Sequence, residues 1–200
     1  IDPVFEQVER DLSLIEKLGL NLKFVLETHV HADHITGASL IKSKKDIKIV
    51  YGSKTGVEGA DIYLDDNEIL KLGNENIQAL HTPGHTSGCT SYYIDGYIFT
   101  GDTLFIDGTG RTDFQGGSSS DTYDSVTKKI YNFPNDTIVF PGHNYNGLTM
   151  STIGEEKKSN PNVGLHIKKE DFILNESKKE RPYPKRFDVA VPANMKCGKK

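Results

Sequence analysis

Two hundred residues, 36% hydrophobic and 26% charged, suit one globular domain with a real core. Twenty-four basic against 28 acidic residues leave a net charge of −4, so no global field draws the chain to nucleic acid or an anionic membrane. Two distant cysteines, Cys89 and Cys197, exclude a disulfide framework and a Cys-x-x-Cys motif; they point to a reducing compartment and read as small buried hydrophobes. No apolar run reaches the length of a membrane span.

In chain order, Asp2 reads as a helix N-cap with Pro3 in the first turn. The spacing Val4, Val8, Leu12, Ile15, Leu18 predicts an amphipathic helix closed by Gly19. Leu22 to Thr28 holds an apolar run suited to a buried strand. Ile35 to Lys45 is helical in character, and Ile47 to Tyr51 is the next strand, so a βαβ rhythm is set. Short strands follow at Glu68–Leu72, Ile77–His81, Thr90–Ile94 and Tyr97–Thr100, with a hairpin turn at Asp95-Gly96. A glycine-rich loop, Gly101 to Gly117, leads to a helix over Ser119–Tyr131 and a strand over Thr137–Phe140. Helices are expected over Thr149–Ser159 and within Lys168–Lys179, and the tail, with three prolines between Arg181 and Pro192, reads as irregular. Strands flanked by helices, with the special residues in loops, predict an α/β fold: one domain over 1–200, an αββα sandwich of two mixed sheets.

Seven histidines are present, and most sit in a few short loops. The first loop is Thr28-His29-Val30-His31-Ala32-Asp33-His34. Residues two apart on an extended segment point the same way, so His29 and His31 can converge, while Asp33 and His34 offer further donors. The second carries His85 after the tight turn Pro83-Gly84, and the third carries Asp102. The fourth, Pro141-Gly142-His143-Asn144-Tyr145, carries His143. Each follows a predicted strand, and strand-end loops gather on one edge. Imidazole and carboxylate without thiolate suit zinc, iron or manganese. Spacing alone predicts two zinc ions. His81 reads as structural and His166 as a surface residue.

In this order the motifs resemble those of the metallo-β-lactamase superfamily, and more narrowly the persulfide dioxygenases. The narrower likeness rests on Thr28 to Gly37, on Gly110-Arg111-Thr112-Asp113-Phe114-Gln115, on Pro141 to Tyr145, on Ser151 to Glu156, and on the tail Val191-Pro192-Ala193-Asn194-Met195-Lys196-Cys197-Gly198. The resemblance implies one Fe(II) per subunit held by His29, His85 and Asp102, a 2-His-1-carboxylate set that leaves positions open for substrate and oxygen. It implies that His31, Asp33, His34 and His143 orient the site instead of binding a second metal. The reaction implied converts glutathione persulfide, O2 and water to glutathione and sulfite. Arg111 is the first candidate to pair with a glutathione carboxylate, with stabilisation of its own loop by Asp113 as the other reading. Tyr145 could hydrogen-bond substrate or oxygen near the metal, as a catalytic or binding group. The basic run Lys178 to Arg186 reads equally as a solvated loop or a substrate contact.

By the same resemblance, the strands that precede Ile1-Asp2-Pro3 in the superfamily are missing from this sequence. A homodimer is expected, with a rhodanese-type supplier of persulfide, in the cytoplasm or, in a eukaryote, the mitochondrial matrix. The main alternative is a dizinc thioester hydrolase of the glyoxalase II type, whose helical substrate domain has no room after Pro161. Further alternatives are a catalytically dead binding module and a different low-molecular-weight persulfide as substrate.

Overall fold

A computed structural model of the chain describes residues 1–199. Two sheets lie face to face. The first contains β1 (Phe24–Leu26), β2 (Lys48–Gly52) and β3 (Ile62–Leu64), all parallel, so this sheet is not mixed as expected. The second runs in the order β4 (Ile69–Leu72), β5 (Glu75–His81), β6 (Thr90–Ile94), β7 (Tyr97–Gly101), β8 (Ile138–Pro141) and β9 (Ser151–Thr152). Its pairs are antiparallel except β7 with β8, whose parallel register requires the crossover through α3 (Ser119–Lys128).

Alternation along the strands builds the layers. In β2, Val50 faces the second sheet and joins Leu26, Leu64, Leu70, Ile77, Ala79 and Tyr92 in the inter-sheet core. Its neighbours Ile49 and Tyr51 face the other way, onto α1 (Val8–Lys17) and α2 (Ala38–Lys44), through Val8, Leu12, Ala38 and Ile41. On the far side, Leu80, Ile98 and Val139 pack against α3 (Val126), α4 (Ile153–Ser159) and α5 (Lys169–Ser177), with Ile153 and Phe172 fully buried. The result is the expected helix–sheet–sheet–helix order. The hairpin turn is also as expected: Asp95 and Gly96 both have positive φ (44° and 81°), the pair of values a two-residue type I′ turn needs.

Three further expectations are corrected. Asp2 does not cap the first helix. It sits at φ 50°, a 3₁₀ turn over Phe5–Gln7 intervenes before α1, and its carboxylate accepts from the Thr28 backbone N–H at 2.7 Å. Strands β3 and β9 lie where none was read; both are short, too short to show alternation. The tail is not irregular: Phe187–Asn194 forms α6, with Pro192 inside it. Proline forfeits a helical hydrogen bond there, but Ala190, Ala193 and Asn194 are buried, and tertiary packing outweighs that cost.

Candidate metal centre

The loops that follow β1, β5, β7 and β8 bring their polar side chains to one end of the sandwich. One donor atom each from His29, His85 and Asp102 lies within 4.8 Å of the other two. The His29 and His85 rings meet edge to face, with centroids 4.9 Å apart, and His85 Nε2 is 3.6 Å from Asp102 Oδ2. All three residues are buried.

Hydrogen bonds fix which nitrogen each imidazole presents. The Thr28 hydroxyl donates to Asp2 Oδ2 (2.8 Å), so its lone pair accepts from His29 Nδ1 (2.9 Å). The Arg111 carbonyl can only accept, so His85 Nδ1 donates to it at 2.7 Å. In the neutral tautomer that these bonds select, Nε2 is the nitrogen that faces the cluster and is free to ligate. Burial, followed by the neighbouring His31, His85, His143 and His34, pushes His29 well below the usual histidine range, and a neutral imidazole is the ligating form.

The surroundings are cut to these donors. A Cβ on Gly142 would lie 2.5 Å from Asp102 Oδ1, and one on Gly110 would lie 3.0 Å from His85 Nδ1. Asp102 Oδ1 is buried with no protein hydrogen-bond partner. Two imidazoles and a carboxylate without thiolate fit a first-row divalent ion, and an unpaired buried carboxylate oxygen is what such an ion would satisfy.

His31 is adjacent but turned elsewhere. Its Nε2 lies 3.1 Å from Asp2 Oδ1 and 3.4 Å from Glu27 Oε2, contacts that are ionic more than aligned hydrogen bonds. Burial opposes charge on His31, yet these carboxylates outweigh it and hold the ring well above its usual pKa. Glu27 is fully buried and accepts from the Thr36 hydroxyl. His34 Nδ1 contacts Asp33 Oδ2 at 3.1 Å, and His31, Asp33 and His34 make a second donor group beside the first. His143 Nε2 stands between the two, 3.5 Å from Asp33 Oδ2 and 3.7 Å from Asp102 Oδ2.

A cavity of about 380 Å³ opens over these residues, lined also by Phe105, Arg111, Tyr145, Arg181, Pro182 and Pro184. Arg111 grips Asp113 through both its Nε (2.7 Å) and its Nη2 (2.8 Å) and gives Nη1 to the Pro182 carbonyl (2.9 Å). Its guanidinium also lies over the Phe114 ring at 4.5 Å. Of five N–H donors, three are thus committed to protein and two are left for a ligand. Arg181 adds a second cation at the cavity wall while holding Glu176. Tyr145 stacks nearly parallel on His143, 6.0 Å between centroids, with its ring exposed. Desolvation at the cavity, then the charges of Asp102 and Asp33, raise its hydroxyl above the usual range, so it remains a donor. His81 lies outside the cluster with Nε2 on the Ser87 carbonyl, and His166 is exposed.

Sequence reasoning missed Glu27, Asp2 and Thr28 as parts of this site. Glu27 and Thr28 were signalled only by their place at the start of the histidine loop, and Asp2, 26 residues before Thr28, lay far from it in sequence. Asn194 stood within a tail motif whose specificity was legible but whose task was not.

The fold and the donor order define a class. The family profile "Metallo-beta-lactamase superfamily" matches residues 1–77 and 73–143, and the chain belongs to that superfamily. Within it, the mitochondrial persulfide dioxygenase ETHE1 of Homo sapiens is 41% identical over 201 residues, covering 99% of this chain and 78% of its own. The crystal structure of ETHE1 from Myxococcus xanthus superposes with a TM-score of 0.95 at 43% identity, covering 98% of this chain and 87% of that one. The cytoplasmic hydroxyacylglutathione hydrolase of Arabidopsis thaliana is 40% identical over a shorter stretch, 153 residues, which is 72% of this chain and 58% of its own. Among the described residues no helix is long and apolar enough to cross a membrane.

Proposed function

We propose that the chain is a persulfide dioxygenase, oxidising glutathione persulfide with O2 and water to glutathione and sulfite, with the release of two protons. The observation that carries the reading is the convergence of His29, His85 and Asp102 in a chain that resembles persulfide dioxygenases along its whole length. We assign the metal as one Fe(II) per subunit: three donors of this type leave positions open on one face. When bound, the ion would supply the site at which a soft persulfide sulfur and O2 come together.

The protein's own groups do the rest. Thr28 and the Arg111 carbonyl hold the two imidazoles in register, and Gly142 and Gly110 leave Asp102 room. His31, Asp33, His34 and His143 orient the site around these donors. The free donors of Arg111 meet a glutathione carboxylate at the cavity wall, and the protonated Tyr145 hydroxyl hydrogen-bonds substrate or oxygen at the mouth. The cavity is large enough for a tripeptide thiol to enter sulfur first. The resemblance extends the reading to a homodimer supplied by a rhodanese-type enzyme. The cytoplasm is the expected compartment, or the mitochondrial matrix in a eukaryote, as the name of the human relative supports.

The dizinc thioester hydrolase is the weaker reading, because the hydroxyacylglutathione hydrolases align over less of the chain than the persulfide dioxygenases do. The test is metal content after anaerobic loading together with oxygen uptake on glutathione persulfide. One iron per chain with sulfite formed supports the proposal. Two zinc ions per chain, thioester hydrolysis and no oxygen uptake overturn it.

A further inference from the structure

The tail motif begins in the last turn of α6, whose final residue, Asn194, is completely buried against the first histidine loop. Its side-chain amide donates both hydrogens to that loop, to the His31 carbonyl and the His34 carbonyl, each at 2.8 Å. Its Oδ1 accepts from the Thr36 backbone N–H at 2.9 Å. One side chain thus satisfies three backbone groups within six residues of loop.

The rest of the motif seats this amide. Ala190 and Ala193 pack on Ile35, directly after His34. Ser39 binds the Cys197 carbonyl through its N–H (3.1 Å) and its hydroxyl (2.6 Å). Gly198 has φ 79°, and a Cβ there would strike the Thr36 carbonyl. Met195 takes the Glu58 N–H at 2.8 Å. All three bonds of the amide are directed at the segment that directly follows His29.

We infer that Asn194 is a positioning residue for the metal centre. Two carbonyls three residues apart converge on one amide nitrogen, which curls the chain between them. That curl leaves the His31 ring beside Asp2 and Glu27 and the His34 ring beside Asp33, so that His29 alone of this loop joins His85 and Asp102. The tail thereby governs which imidazoles reach the ion. This inference rests on reading His29, His85 and Asp102 as the metal site.

The test uses Co(II) as probe on the full chain, with its visible absorption as a report of ligand number and geometry. Asn194→Asp keeps the shape and the acceptor for Thr36 but loses both donors, and Asn194→Ala removes all three bonds. At a temperature where circular dichroism shows the variant folded, Co(II) affinity should fall about ten- to a hundredfold and the absorption should change in position or intensity. A folded variant with wild-type affinity and spectrum overturns the inference, however far its melting temperature drops. On the unmodified protein, the Asn194 side-chain amide protons should exchange slowly and shift on Co(II) loading; fast exchange overturns the inference whatever the variants do. His85→Ala separates the two levels. If the wild type takes up no Co(II), or His85→Ala keeps its spectrum, the metal assignment itself falls.

Discussion

Thr28→Val tests the hydrogen-bond chain that aims His29. Valine matches threonine in shape but not in chemistry, and Thr28 is 1% exposed, so the effect isolates the hydroxyl. Two atoms lose this partner: the part-buried Asp2 Oδ2, held at 2.8 Å, and the buried His29 Nδ1, held at 2.9 Å. Asp2 keeps the Thr28 N–H and His31. A buried polar atom left without a partner costs about 1–3 kcal/mol, so the pair should cost about 3 kcal/mol of stability. With Nδ1 unbonded, the His29 tautomer is no longer dictated, and metal affinity should weaken by about ten- to a hundredfold. Urea unfolding of the metal-free protein reads the first quantity, and chelator competition reads the second. A Thr28→Val protein that loses stability yet binds metal as tightly as the wild type would refute the assignment of Thr28 as the group that orients His29.

Gly142→Ala should displace Asp102, since the new methyl would lie 2.5 Å from its Oδ1. Metal content by elemental analysis should fall at least tenfold with circular dichroism unchanged, and full occupancy would contradict the proposed cradle. Burial pushes both thiols, Cys89 and Cys197, up to about 11. At pH 8 only about one thiol in a thousand is then ionised, so iodoacetamide should add nothing to the native chain and two adducts in urea; rapid native labelling would show that the thiols are not enclosed.

The donor residues were legible in the sequence because metal ligation restricts residue type and each donor sits in a short loop after a strand. His29, His85, Asp102 and His143 could be picked from the chain, each in its own loop. The hairpin at Asp95-Gly96 followed from its two positive-φ residues. The short strands β3 and β9 could not be read, since a strand of two or three residues carries no period and exists through its neighbour. Helix α6 was hidden behind Pro192, a local signal that burial overrides.

The sequence by itself determined the list of donors, their order, and the kinship that goes with both. It left open how many of those donors share one ion, because spacing along a loop does not say where each ring turns. Where the rings turn is visible only in the tertiary structure. Asp2 and Glu27 take His31, and Asn194, 160 residues after His34, holds the loop's carbonyls. These partners come from β1's edge, the chain's first turn and its last helix. Hydrogen bonds between such distant segments form only once the sheets and helices have packed, and no local pattern encodes them.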